Sequence, residues 1–264
     1  MKNMFEYAKK KIIRTKIYNK PYPYIFIKNL IKKDDLQELN ACLPGFNSIS
    51  GKDVLYQSKS KTKKTILPSS VNFKNSFKND KFREIDLLFK KLKPVIIKKF
   101  DKKIKLFVKK KFLPKSLKYH LSYSVMKKDY KKSPHLDRRD HLIHMIFYPS
   151  SEASKGGEII IHKLRDKKSL FDVFPSSKSL KIQKKYKVFD NSFIAILNVP
   201  WAYHSVSTYK SKMDRKYFYM VYDFPIKKSG SIVKNRKAGF NQNQFWKQEV
   251  NIESLKRKKI FLNE

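Results

Sequence analysis

Between residues 82 and 100, apolar side chains recur as Phe82, Ile85, Leu87, Leu88, Phe89 and Leu92, then Val95, Ile96, Ile97 and Phe100. That spacing predicts an amphipathic helix, with Pro94 breaking or kinking it. A shorter helix is predicted over residues 36–43, with Asp34 and Asp35 near its start and Pro44-Gly45 beyond its end. Residues 24–30 alternate aromatic and β-branched side chains and read as a strand entered through Pro21 and Pro23. Residues 46–75 carry Ser, Lys and Asn with little periodicity and read as an extended loop region, and residues 1–20 as a polar, basic lead-in.

Beyond about residue 104 the texture changes to short β-type runs at 106–108, 119–125, 142–148, 158–162, 187–189, 192–197 and 216–224. Pro149, Gly156-Gly157, Pro175, Asp190-Asn191 and Pro200 punctuate them. Short strands with turn signals between them make a sandwich or barrel. The expectation is an α+β fold, mainly β, in which N-terminal helices back a jelly-roll core. One domain is expected over residues 21–225, with its core at about 104–225, followed by a lysine-rich extension over 226–264.

Composition changes this picture little. A hydrophobic fraction of 41% with 14% aromatics marks a chain that buries a core, which a disordered chain cannot do. The net charge of +40 points towards polyanions, yet only eight of the 62 basic residues are arginine, the cation that pairs bidentately with phosphate and guanine. A lysine coat from A/T-rich codon usage accounts for the charge better than a dedicated nucleic-acid site, and nucleic acid is not the favoured partner. Cys42 is the only cysteine, so neither an internal disulfide nor a cysteine metal site can form, which fits a reducing compartment. No apolar run is long enough for a membrane helix and the first residues lack a signal-peptide core, so a cytoplasmic protein is expected.

Chemistry concentrates in one constellation. His135 and Asp137 follow a strand and a lysine-rich turn, His204 comes 69 residues later, and Arg215 opens the last strand. Two imidazoles and one carboxylate on one face of Fe(II) leave three positions open, enough for a bidentate 2-oxo acid and O2. A cation fixed nearby then holds the far carboxylate of the co-substrate. Arg215 and Lys216 compete for that place, because neighbours on a strand face opposite ways, and arginine offers the better fork. Taken singly, each ligand also reads as ordinary: a loop histidine after Pro134, a counter-charge beside Arg138 and Arg139, a rim histidine. His141, His144 and His162 read as structural.

In order, Tyr123, His135-Leu-Asp137, Gly156-Gly157-Glu158, Trp201-Ala-Tyr-His204 and Arg215 resemble the prolyl-4-hydroxylase-like branch of the 2-oxoglutarate- and Fe(II)-dependent oxygenases, over about residues 117–225. The resemblance implies a double-stranded β-helix. It implies iron held by His135, Asp137 and His204, and 2-oxoglutarate held by Arg215 with Tyr123 as a second contact. It also implies O2 as co-substrate, ascorbate as an accessory reductant, and hydroxylation of a C–H bond in a small metabolite or a protein side chain with release of succinate and CO2. The chain departs from the pattern at Asp140, His141 and His144, where the family often has an arginine, and after His204, where Ser205-Val-Ser-Thr208 lacks the usual proline. The alternatives are a basic nucleic-acid-binding protein and a cupin-like metal-binding barrel without oxygenase activity.

Overall fold

The computed structural model describes residues 2–49, 61–107, 116–138, 141–151, 155–165 and 172–223. Its elements are α1 (Lys2–Arg14), β1 (Tyr24–Ile27), α2 (Lys33–Cys42), β2 (Lys63–Ile66), α3 (Val71–Phe77), α4 (Asp80–Phe107), β3 (Lys118–Met126), β4 (Lys132–His135), β5 (His141–Ser150), β6 (Ile159–Leu164), β7 (Leu180–Tyr186), β8 (Ser192–Leu197), β9 (His204–Val206) and β10 (Arg215–Asp223). The strands form a six-stranded sheet in the order β1-β8-β5-β10-β3-β2 and a four-stranded sheet in the order β4-β9-β6-β7.

The pairing defines the fold. β3 pairs with β10, β4 with β9, β5 with β8 and β6 with β7, all antiparallel. Each strand therefore meets its counterpart counted from the other end of the run β3–β10, as in a long hairpin rolled up so that successive pairs fall alternately in two facing sheets. This is the double-stranded β-helix, or jelly roll, and β1 and β2 extend its larger sheet at either edge.

The larger sheet is buried on both faces. Its outer face carries Tyr123, Phe147, Phe193 and Phe218, and α4 covers it through Phe82 and Phe89, whose rings lie 5.3 Å from Phe218 and 5.7 Å from Phe193. The Tyr222 hydroxyl donates to the Phe89 carbonyl at 2.8 Å. This two-sided burial explains why β8 reads as a nearly continuous apolar run and β5 as one interrupted only by His144 over 142–148, rather than as alternation.

Several expectations change. The polar lead-in is α1, whose Met4, Ala8 and Ile12 follow a helical spacing and are buried, with the helix packed on α4. The stretch read as a loop contains β2 and α3, the latter capped by the Ser70 hydroxyl accepting from the Phe73 N–H. Pro94 does not end α4, which runs through it for 28 residues. A mid-helix proline costs about 3 kcal/mol, and the fully buried Leu88, Phe89, Leu92 and Ile96 around it supply more than that. Leu106, read as a strand residue, lies at the end of this helix, and the strand expected at 187–189 falls instead at β7. The expected extension over 226–264 lies outside the described residues. Among the described residues, no helix is long and apolar enough to cross a membrane.

Candidate metal and co-substrate site

The site is assembled by the smaller sheet. His135 is the last residue of β4 and His204 the first of β9, and the register pairs them directly across the ladder. Direct cross-strand partners have Cβ atoms about 5 Å apart, so the two imidazoles stand side by side, with centroids 4.4 Å apart. Asp137 follows two residues beyond His135, and its carboxylate turns back between them: Oδ1 is 3.5 Å from His135 Nε2 and Oδ2 is 3.7 Å from His204 Nε2. One ligand atom from each residue lies within 4.8 Å of the others.

The surroundings hold these side chains in place. The His135 Nδ1–H donates to the Ser133 carbonyl at 2.9 Å and the His204 Nδ1–H to the Ala202 carbonyl at 3.0 Å. A carbonyl only accepts, so both Nδ1 atoms carry the proton and both Nε2 lone pairs face Asp137, the tautomer that binds a metal. The loop carrying Asp137 is pinned on both sides: the Leu136 N–H donates to the Val173 carbonyl, and the Asn198 amide donates to the carbonyls of Arg138 and His141. The segment before His204 is tied to the N-terminal region by the Trp201 indole on the Pro21 carbonyl and the Tyr22 hydroxyl on the Tyr203 carbonyl.

The electrostatics suit a cation site. Burial opposes charge on Asp137, but His144, His204 and His135 around it overcome that and hold its carboxyl well below the usual range. Burial pushes His204 down to about 3 and His144 to about 4, so both imidazoles are neutral at neutral pH. Side-chain exposures of 12% for His135, 15% for Asp137 and 6% for His204 leave the cluster sheltered yet reachable. Two imidazole nitrogens and a carboxylate oxygen are the donor set of a non-haem Fe(II) centre with open positions, so the residues present fit that metal.

Arg215 opens β10 on the inner face of the larger sheet and is fully buried. Its Nη1 donates to the Gly157 carbonyl, while the rings of Tyr148 and Tyr209 flank the guanidinium at 4.7 and 5.4 Å. Its Nε and Nη2, and the hydroxyl of Tyr209, have no partner among the described residues. A buried guanidinium edge with two unpartnered donors is costly unless an anion completes it. The geometry of that edge fits a carboxylate received in bidentate fashion. Lys216 faces the other way and donates to the Leu43 carbonyl at 2.8 Å.

Tyr123 does not belong to this pocket. Its register partner is Phe218, on the outer face beneath α4, and its hydroxyl donates to the Pro44 carbonyl at 2.7 Å. The inward positions of β3 are instead Ser122 and Ser124, opposite Tyr219 and Tyr217. The tyrosines at Arg215 are Tyr148 and Tyr209, neither of which stood out in the sequence. His144, read as structural, lies with Nδ1 3.1 Å from Asp137 Oδ2, and Tyr219 donates to the same oxygen at 3.1 Å. Taking Arg215 as inward implies Tyr217 and Tyr219 by alternation; for His144 and Tyr209 the sequence holds no comparable signal.

No family model and no curated protein matches this chain. Among solved structures it is similar to a prolyl-4-hydroxylase of Pseudomonas putida, at 9% identity and a TM-score of 0.45, covering 83% of this chain and 98% of that one. It is also similar to the viral collagen prolyl hydroxylase of Paramecium Bursaria Chlorella virus-1 in its 2OG complex, at 12% identity and a TM-score of 0.40, covering 77% and 96%. A third similar structure is the non-heme alpha ketoglutarate dependent epimerase SnoN from nogalamycin biosynthesis, at 9% identity and a TM-score of 0.49, covering 83% and 82%.

Proposed function

We propose that this protein is an Fe(II)- and 2-oxoglutarate-dependent oxygenase that hydroxylates a C–H bond. The observation that supports the reading best is one arrangement inside one barrel. A His135–Asp137–His204 donor set stands with a buried Arg215 whose Nε and Nη2 lack any acceptor. A cupin-like metal-binding barrel would need the triad but not the second feature, and a lysine-coated nucleic-acid-binding protein would need neither.

His135 Nε2, His204 Nε2 and an Asp137 oxygen would hold the metal, and Arg215 the far carboxylate of 2-oxoglutarate. Bound iron supplies O2 activation coupled to oxidative decarboxylation of the co-substrate to succinate and CO2, and thereby the oxidation of the substrate C–H bond. The chain's own contribution is position and dryness. The two Nδ1–carbonyl hydrogen bonds fix the imidazoles, and Tyr148 and Tyr209 enclose the guanidinium so that its charge acts without competing water. Asp137 supplies the carboxylate that halogenases of this class lack, which favours hydroxylation over halogenation. Val221, six residues after Arg215 on the same inward column of β10, stands where AlkB-type dealkylases carry a second arginine, and this ranks nucleic-acid dealkylation low.

Fe(II) and then 2-oxoglutarate are added to the protein without oxygen while the visible spectrum is recorded, beside His135→Ala. A weak charge-transfer band that needs both additions and is absent from the variant is the expected result. Folded, iron-loaded protein with no band overturns the reading.

A further inference from the structure

Asp137 has a second set of neighbours, from the sheet opposite to the one that carries the triad. His144 on β5 and Tyr219 on β10 are diagonal neighbours on the inner face of the larger sheet, since Ile146 pairs with Tyr219 and His144 with Val221. Both reach the same oxygen. The Tyr219 hydroxyl donates to Asp137 Oδ2 at 3.1 Å, and His144 Nδ1 lies 3.1 Å from it. His144 is fully buried, and neither of its ring nitrogens has a formed hydrogen bond to any described residue, Nδ1 lying off the line of one to Asp137. An imidazole retained only to fill space at this depth would cost about 1–3 kcal/mol against an apolar side chain of similar volume.

Resting on the reading of the triad as a metal site, we infer that His144 and Tyr219 are positioning residues that hold Oδ2 of Asp137 so that Oδ1 is presented to the metal. The carboxylate rotates about its last torsion, and without an anchor it would sample chelating and one-oxygen poses. A hydroxyl donating to Oδ2 and an imidazole packed 3.1 Å from the same oxygen restrict that freedom. They also tether a ligand carried by a loop of the smaller sheet to the rigid, doubly covered larger sheet.

The test is a Co(II) titration of the full chain without 2-oxoglutarate or oxygen, read by the visible d–d spectrum, for wild type, His135→Ala, His144→Leu, His144→Asn and Tyr219→Phe. Wild type binds and His135→Ala does not. His144→Leu and Tyr219→Phe weaken binding by about tenfold or more and alter the spectrum, as changes to groups that orient ligands do. His144→Asn, whose amide nitrogen stands where Nδ1 does, binds as wild type. Tyr219→Phe removes a single oxygen atom and keeps the test informative if His144→Leu fails to fold. Wild-type affinity and spectrum in both His144→Leu and Tyr219→Phe overturn the inference and leave the triad standing. Loss in His144→Asn equal to that in His144→Leu overturns it too, since it makes His144 a ligand or a packing residue. Failure of wild type to bind overturns the triad itself.

Discussion

Gly157→Ala separates the co-substrate pocket from the metal centre. Gly157 has φ +73°, and a Cβ built there would lie 2.2 Å from Arg215 Nη1, 3.2 Å from its Cζ and 3.0 Å from Tyr209 Cδ2. An ordinary contact begins near 3.4 Å, so the guanidinium has to move by about 1 Å. The far end of an arginine usually yields easily, but this one is fully buried between two tyrosine rings and bonded to the carbonyl of Gly157 itself. A shift of that size misaligns Nε and Nη2 for a bidentate acceptor. Losing the better part of two charge-assisted hydrogen bonds costs about 3 kcal/mol, or roughly a hundredfold in affinity. The left-handed backbone adds about 1–2 kcal/mol of instability for alanine. The assay is anaerobic titration of 2-oxoglutarate into Fe(II)-loaded protein, with Co(II) affinity measured in parallel. The expected result is 2-oxoglutarate affinity down about a hundredfold with Co(II) affinity unchanged. An affinity for 2-oxoglutarate within threefold of wild type would refute the assignment of Arg215.

Other outcomes follow from the same geometry. Tyr123→Phe leaves 2-oxoglutarate affinity unchanged and costs about 1 kcal/mol of stability through the lost bond to the Pro44 carbonyl, read by urea unfolding. Lys216→Met likewise spares 2-oxoglutarate affinity, whereas Arg215→Met raises the dissociation constant at least a hundredfold, as isothermal titration would show. Ile12→Ala, at a fully buried position of α1, lowers stability by about 2–5 kcal/mol if this helix is integral to the fold; a change under 1 kcal/mol would count against that. In metal-free protein, burial holds His144 and His162 down at about 4, against 6.5 for an exposed histidine. The unfolded chain then binds protons that the folded one refuses, so stability present above pH 6.5 is lost as pH falls towards 4. The slope is about 1.4 kcal/mol per pH unit for each histidine, and a urea midpoint that stays constant between pH 6.5 and 5 would contradict it.

The sequence by itself determined an amphipathic helix over 82–100, the β-rich second half, and the order His135, Asp137, His204, Arg215. These rest on local periodicity and on residue types whose chemistry is narrow. Other features needed the folded chain. Strands β4 and β9, of four and three residues, are too short to show a period, yet they carry two of the three triad members. Helix α1 reads as a polar segment because its buried residues Met4, Ala8 and Ile12 make a thin stripe among lysines, which is apolar only once its partner is known. The resemblance implies Tyr123 as a second 2-oxoglutarate contact, but a sequence shows only that residues alternate along a strand, not which set turns inward. That parity was decided by the pairing of β3 with β10 and by the helix covering the outer face. His144 and Tyr209 reach the site from strand and loop positions far apart in the chain, and their unpartnered polar atoms exist only because the tertiary structure removes water from around them.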